Sequence, residues 1–207
     1  VLDIAYGGGE VVGTFMDYGD PYYVDYSDLY PYDPGMAKSL LTQAGIGDVV
    51  IEMSLPQNFE PHVRAGELYQ EMLEKVGFDV ELKLVDWPTW IADIFRGGNY
   101  ALTVIGHTGK LDPDGRLGGY GIPETYVRWE NEVVAGLIED GRRISEPAER
   151  KRIYAEALEI MAIEVPFVFV GSSYRYVATR DNVSGFRMDT KLDTFDFRFV
   201  EKLEVKR

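Results

Sequence analysis

The chain has 207 residues, which is enough for one large hydrophobic core or two small ones. Its 35 acidic residues outnumber its 21 Lys and Arg residues, and the net charge of -14 argues against binding nucleic acids or anionic membranes by bulk attraction. The absence of cysteine excludes disulfides, thiolate nucleophiles and cysteine-based metal sites. No apolar run reaches the ~20 residues that a membrane-spanning helix requires.

Residues 1–33 are predicted to form an irregular strap rich in Gly, Pro and Tyr, because glycines and prolines interrupt every helical pattern. We expect this strap to lie along the surface of the domain rather than to form a ligand patch. The chain opens at Val1 in the middle of a pattern, and residues 1–207 include no recognisable signal peptide. We therefore expect a fragment or a mature form of a longer protein.

A helix with its own start and stop follows the strap. Asp33 is suited to cap its first turn, Pro34 suits the first helical position, and Gly45 supplies the left-handed residue that ends it. One stripe of this helix is apolar and is formed by Ala37, Leu40, Leu41 and Ala44.

Strand and helix patterns alternate over residues 49–106. Apolar or strictly alternating stretches predict the strands, and apolar residues at helical spacing predict the helices between them. The order β-α-β-α-β predicts right-handed crossovers and an α/β fold whose mixed, largely parallel sheet is flanked by helices. The predicted elements are strand 49–55, helix 61–76, strand 78–85, helix 87–95 and strand 100–106.

The second half of the chain begins with a long Gly-rich loop over residues 107–129. A loop of this length inside a compact domain is uncommon and is often functional. Two helices are predicted after it, the first capped by Asn131 and the second over about residues 147–164. Further strands are predicted over residues 166–171, 174–179 and 196–205.

Six motifs of this chain resemble, in the same order, motifs of the extracytoplasmic solute-binding proteins that serve peptide- and nickel-type ABC transporters. The most informative is Y-x-Y-D-P-x-x-A-K-x-L-L-x-x-A-G, which spans Tyr30 to Gly45. The match covers nearly the whole chain. The other motifs are Asp86-Trp87-x-x-Trp90, the loop ending in Asp112-Pro113-Asp114, Trp129-Glu130-Asn131-Glu132, Glu149-Arg150-x-x-x-Tyr154-x-x-Ala157 with Glu164-Val165-Pro166, and Val177-Ala178-x-Arg180-x-x-Val183-x-Gly185-Phe186.

This resemblance implies the C-terminal lobe of a periplasmic-binding-protein-like clamshell, with residues 34–195 as the α/β ligand-binding lobe. Residues 196–207 then form a C-terminal strand that crosses to a missing N-terminal lobe. The implied function is capture of an oligopeptide or an oligosaccharide in the interlobe cleft and its delivery to the membrane subunits of an ABC permease. The implied location is periplasmic or extracytoplasmic. A lipid anchor on the full-length protein is compatible with this location. No cofactor and no nucleic-acid partner are implied.

The residues give little support to an enzyme, and we expect none of them to be catalytic or to bind a metal. His62 and His107 are far apart in the sequence, and no histidine follows Gly171-Ser172-Ser173 to complete a triad. Asp112-x-Asp114-Gly115 is better explained as a Pro-Asp-Gly turn than as a calcium loop. Because Asp and Glu are abundant, a hydrolase-type domain with paired carboxylates remains the alternative.

Ligands of open α/β sheets lie beyond the carboxyl ends of the strands. In this chain those ends lead to Asn58 and Phe59, to Trp87, and to His107. Burial favours core packing over ligand contact for Trp87 and Trp90. The loop from His107 to Tyr120 is the stronger candidate for ligand contact. The full set of predicted ligand-binding residues is Asn58, Phe59, Trp87, His107, Lys110, Asp112, Asp114, Tyr120 and Trp129.

One departure from the family pattern bears on the ligand. Peptide-binding members often place an aspartate in this loop to hold the α-ammonium group of the peptide, whereas this chain has Lys110 there. Asp112 and Asp114 are close enough in sequence to replace it. If they do not, an oligosaccharide becomes the more attractive ligand.

Overall fold

The computed structural model describes residues 6–47, 49–108, 110–174, 176, 178–184, 204 and 205. The strands are β1 (Gly9–Glu10), β2 (Val49–Pro56), β3 (Phe78–Val85), β4 (Leu102–Thr103), β5 (Ser172–Ser173), β6 (Val183–Ser184) and β7 (Glu204–Val205). The α-helices are α1 (Pro34–Gln43), α2 (Glu60–Glu74), α3 (Trp87–Thr89), α4 (Asp114–Leu117), α5 (Glu132–Arg143) and α6 (Pro147–Glu164), and a π-helical segment runs from Trp90 to Arg96.

A three-stranded parallel sheet positions the rest of the molecule. β2 lies in the centre, with β3 on one side and β4 on the other. β2 and β3 pair along their whole length, from Val49 opposite Phe78 to Pro56 opposite Val85. β4 pairs only through Leu102 and Thr103. The predicted α/β fold with a largely parallel sheet is therefore confirmed, and the carboxyl ends of all three strands meet at one edge.

Two short antiparallel pairs complete the strands. β1 pairs with β5, which joins the strap to the segment that follows α6. β6 pairs with β7, so the chain returns to itself near its end. The predicted strand over 196–205 lies outside the described residues except for β7.

Two hydrophobic clusters form the core. The larger joins α5 and α6 to the strap and centres on Tyr154, Ala157 and Met161 of α6, with Met16 of the strap among them. The smaller lies under the sheet and contains Met53, Leu55 and Val80. The strap is thus anchored by its own apolar side chains.

The helix caps follow the local rules that the sequence indicates. The side chain of Asp33 accepts a hydrogen bond from the backbone N–H of Met36 at 2.8 Å, and Gly45 has a left-handed φ of 68°. Asn131 accepts from the backbone N–H of Val134 at 3.0 Å. α1 nevertheless contains no buried residue: of its apolar stripe, Ala37 and Leu41 are half-buried, and Leu40 and Ala44 are exposed.

Several predicted elements differ from the structure, among them the strand over 174–179, whose described residues are not in a strand. The strand over 166–171 is wrong: Val165 adopts left-handed angles at the end of α6, Pro166 has no N–H to donate, and strand pairing begins only at Ser172. The strand over 100–106 is reduced to the two residues that β2 can pair. The helix over 87–95 extends to Arg96, and most of it is π-helical, a form often found at functional sites. Every helix in the described part of the chain is too short or too polar to span a bilayer.

Candidate functional site

An aromatic row crosses the carboxyl edge of the sheet. We use this name for Phe59, Trp87, Trp90, Phe95, Tyr126, His107 and Phe15, whose neighbouring ring centroids lie 5.0 to 5.9 Å apart. Because β2, β3 and β4 run in parallel, the residues that follow them are brought to the same edge. Phe59 follows β2, Trp87 follows β3 and His107 follows β4, so three of the predicted site residues belong to one row.

Trp87 and Trp90 form the most regular contact of the row. Their rings are stacked, with centroids 5.1 Å apart and planes 3° from parallel. Trp90 is only 2% exposed and donates its indole N–H to Oγ1 of Thr103 at 3.0 Å, whereas Trp87 is 37% exposed. Trp90 is therefore a core residue, and Trp87 stacks on it while remaining partly exposed to solvent.

The other end of the row is polar but uncharged. The hydroxyl of Tyr126 and Nε2 of His107 share a hydrogen bond of 2.8 Å. Burial raises the pKa of Tyr126, while burial and then the charge of Arg116 lower the pKa of His107. Solvent still reaches His107, but its ring packs on Phe15. Both groups are therefore neutral near pH 7 and offer a hydrogen-bonding rather than an ionic surface.

A cavity of about 1580 Å³ begins at this end of the row. It extends between β4, the strap and the segment from Val165 to Tyr174, and His107, Arg116 and Tyr126 line it. Its volume exceeds the range of about 300–1,000 Å³ that is usual for small-molecule pockets. A cavity of this size can hold an extended ligand or a polypeptide segment from another part of the protein.

Tyr120 lies beneath the row and not on its open side. It is 8% exposed and its ring packs on those of Phe15 and Phe167 at 5.1 and 4.9 Å. Burial raises its pKa to about 12. Its position is that of a support for Phe15, and so for the end of the row at which Phe15 packs on His107.

The two aspartates of the loop are committed to arginines. Asp112 receives both terminal nitrogens of Arg150, at 2.7 and 2.8 Å, and these hydrogen bonds hold the pKa of Asp112 below its usual range. Asp114 accepts from Nε of Arg142 at 2.5 Å. Lys110, by contrast, is exposed. The carboxylates thus fasten the loop to α5 and α6.

The two remaining predicted residues lie in different places. Asn58 is exposed in the turn between β2 and α2, beside Phe59. Trp129 is outside the aromatic row and donates its indole N–H to Glu164 at 3.0 Å, and the side chain of Asn131 donates to the same carboxylate at 3.0 Å. This cluster joins the start of α5 to the end of α6.

Sequence reasoning missed three members of the row, namely Phe15, Phe95 and Tyr126. Phe15 comes from the strap, and Phe95 from the π-helical segment. Only Tyr126, in the Gly-rich loop, carried a signal that could have found it, since that loop was already a candidate for ligand contact. No group of three or more His, Asp or Glu residues within the described residues is arranged to hold a metal ion.

Fold and site together define a lobe of the periplasmic-binding-protein kind. The family model described as bacterial extracellular solute-binding proteins, family 5 Middle, matches residues 1–123, and the chain belongs to this family.

Curated relatives agree with this assignment. Di/tripeptide-binding protein 1 of Pseudomonas aeruginosa is 26% identical over 200 residues, which cover 91% of this chain and 37% of that protein. The dipeptide-binding protein of Escherichia coli is 26% identical over 172 residues, 77% of this chain and 32% of that protein. The chain thus spans about a third of the length of these relatives.

Solved structures show the same fold. The periplasmic binding protein DppA of Helicobacter pylori, in complex with the peptide STSA, superposes with a TM-score of 0.79 at 21% identity, over 98% of this chain and 40% of that one. The oligopeptide-binding protein AppA of Bacillus subtilis, in complex with a nonapeptide, gives a TM-score of 0.79 at 20% identity, over 100% of this chain and 44% of that one.

Proposed function

We propose that this chain is the C-terminal lobe of the solute-binding component of an ABC importer, and that it captures peptides. The aromatic row carries this proposal. It presents exposed rings of Phe59, Trp87 and Phe95 along the edge where parallel sheets bind ligands. Rings with open faces and neutral hydrogen-bonding groups suit the side chains and backbone of a short peptide.

The relatives favour a peptide over a sugar. The curated relatives named above are di- or tripeptide-binding proteins, and both solved structures named above hold peptides. Nothing in these likenesses supports an oligosaccharide. The large cavity beside the row, about 1580 Å³, leaves room for more than a dipeptide.

The hydrolase alternative gains no support. The family is one of solute-binding proteins. Asp112 and Asp114, the carboxylates of the candidate loop, are neutralised by arginines, and the row is neutral at its histidine end. A hydrolytic carboxylate pair would need one group held protonated, whereas the hydrogen bonds from Arg150 lower the pKa of Asp112.

The remaining parts of the proposal concern the whole protein. A second lobe, supplied by the N-terminal part of the longer protein, closes over the row and forms the cleft. The closed protein then docks on the membrane subunits of an ABC permease on the outer side of the cytoplasmic membrane. We assign residues 34–195 to the binding lobe and residues 196–207 to a C-terminal segment that contacts the partner lobe while its strand β7 stays paired with β6.

Calorimetry of the full-length protein tests the proposal. We expect saturable heats with di- to pentapeptides and none with maltose or other oligosaccharides. Trp87→Ala should weaken peptide binding about tenfold, because a partly exposed aromatic ring at the edge of the sheet is lost. Trp129→Phe replaces an indole outside the aromatic row by a smaller ring, removes its hydrogen bond to Glu164, and serves as the matched control. Failure of a broad peptide library to bind the wild-type protein would overturn the proposal.

A further inference from the structure

We propose that Lys110 makes this site selective for ligands with a carboxylate facing the loop. The inference rests on the proposed peptide-binding function and names the charge of the ligand at one place in the cleft. It follows from the balance of charge in the loop between β4 and α4.

The negative charges of this loop are already neutralised. Arg150 holds both oxygens of Asp112, and the Nε of the same guanidinium donates to the carbonyl oxygen of Gly141 at 2.8 Å. Arg142 holds Asp114. A ligand ammonium group would therefore meet two carboxylates whose negative charge an arginine already compensates, which weakens their attraction for it.

The charge that remains in this loop is positive. Lys110 is exposed, and its ammonium group makes no ion pair with any residue that the structure describes. Arg116 does not add to this charge, because it is paired with Asp17 and donates to the carbonyl oxygen of Phe15 at 3.0 Å. Between His107 and Leu117, the described residues thus present one uncompensated cation.

The side chain of Lys110 is also held in place. A Cβ built on Gly115 would lie 3.1, 3.3 and 3.7 Å from Cβ, Cγ and Cδ of Lys110. The stem therefore packs along the open surface that Gly115 leaves on α4. A seated stem loses less conformational freedom when its ammonium group binds an anion, so the contact becomes more favourable.

One anion lies elsewhere on the same edge. Asp86 follows β3, accepts from N and Oγ1 of Thr89 at 2.9 and 3.1 Å, and is separated from the end of β4 by two strand spacings, about 10 Å. At physiological ionic strength this is beyond the distance over which exposed charges act strongly. The ligand carboxylate can come from an acidic side chain or from the C-terminus of a peptide.

Three isosteric peptides separate these sources in calorimetry of the full-length protein. Ala-Gln-Ala-amide has no carboxylate, Ala-Glu-Ala-amide has a side-chain carboxylate, and Ala-Gln-Ala has a terminal one. We expect at least one acidic peptide to bind about tenfold more tightly than the neutral peptide. Lys110→Gln should remove the difference, and Lys110→Glu should reverse it in favour of Ala-Lys-Ala-amide.

Two further variants separate local contact from general charge. Lys151→Gln removes one exposed lysine on α6 and should leave the preference unchanged. Gly115→Ala keeps every charge but displaces the Lys110 stem, and should reduce the preference. Equal binding of acidic and neutral peptides, or a preference that survives Lys110→Gln, would overturn the inference while leaving peptide binding intact. Absence of binding by any peptide would overturn the proposed function and this inference with it.

Discussion

Arg150 on α6 donates hydrogen bonds from both terminal guanidinium nitrogens to Asp112, which lies 38 residues earlier in the sequence. The same guanidinium lies 5.3 Å from the ring centre of Tyr154 and donates to the backbone of α5 at Gly141. One side chain therefore ties the candidate loop to both helices of the larger core cluster. The loop that carries Lys110 is held by packing and ionic contacts rather than by strand pairing.

Replacing Arg150 by Ala should lower the free energy of unfolding by about 1–2 kcal/mol, because charge-assisted hydrogen bonds and the contact with Tyr154 are lost. The predicted loss of unfolding free energy is modest because solvent reaches Asp112 and screens its charge. Arg150→Lys keeps the charge but not the two-pronged geometry, and should recover less than half of the loss. Urea denaturation of the wild-type protein and of the two Arg150 variants measures these differences in stability.

Arg152 provides the control for this prediction. It lies two residues further along α6, and its ion-pair partners among the described residues are the exposed Glu149 and Glu156. Arg152→Ala should leave the urea midpoint unchanged within error. Equal midpoints for the Arg150 and Arg152 variants would contradict the view that Arg150 anchors the loop.

Substitutions of Trp90 and Trp87 should affect stability and ligand binding differently. Trp90→Ala removes a buried ring and leaves the Thr103 hydroxyl without its donor, so we expect a loss of about 4 kcal/mol in unfolding free energy. Trp87→Ala removes a ring that is 37% exposed, and should cost about 1–2 kcal/mol while weakening ligand binding. Thermal and urea unfolding, together with calorimetric binding, test the pair. A Trp87 variant as unstable as the Trp90 variant would contradict the different burial of the two rings.

The two histidines should make the protein less stable in mild acid. Burial lowers the pKa of His62, and burial with the nearby Arg116 lowers the pKa of His107. The unfolded chain therefore binds protons first as the pH falls through about 6.5, and the folded state loses stability until its own lowered pKa values are passed. We expect the urea midpoint to fall between pH 7 and pH 5.

Two variants assign this pH effect. His62→Gln and His107→Gln should each flatten part of the curve, and the double variant should be nearly independent of pH in this range. Asp112 acts in a separate window: because its folded pKa is lowered, its contribution persists above the unfolded value near 3.8 and is lost only at more acidic pH. A slope between pH 7 and 5 that survives in the double variant would exclude the histidines as its origin.

Val165 should tolerate glycine with a gain in stability. It adopts φ 51° and ψ 52° at the end of α6, a region that is costly for a β-branched side chain, and the residue is 40% exposed. Val165→Gly should stabilise the protein by about 0.5–1 kcal/mol, after the added freedom of the unfolded chain is included.

The reverse substitution gives the matched control. Gly45 has a φ of 68° and open space around its missing Cβ, so Gly45→Ala tests backbone strain alone and should destabilise by about 1 kcal/mol. If thermal unfolding shows Val165→Gly to be destabilising, side-chain packing at this position outweighs the strain.

The features that sequence predicted were the local ones. The cap at Asp33, the left-handed end at Gly45 and the parallel pairing of β2 with β3 each follow from residues a few positions apart or from one unbroken apolar pattern. The same reasoning placed Phe59, Trp87 and His107 at one edge, because topology alone brings strand ends together.

The features that sequence did not predict depend on distant partners. An apolar run such as 166–171 indicates a strand but cannot name the strand beside it, and here pairing starts only at Ser172. Phe15 and His107 meet only because the strap folds over the loop. The ion pair between Asp112 and Arg150 was also not predictable, because nothing in a separation of 38 residues indicates a contact.

The stacking of Trp87 on Trp90 has a practical consequence. The chain has three tryptophans, and two of them are stacked with nearly parallel planes within the aromatic row. Excited states on such close indoles couple, which gives a near-ultraviolet circular dichroism signal and shared fluorescence. A solute that covers Trp87 should alter both the circular dichroism and the fluorescence. Ligand binding can therefore be followed through these signals without an attached dye.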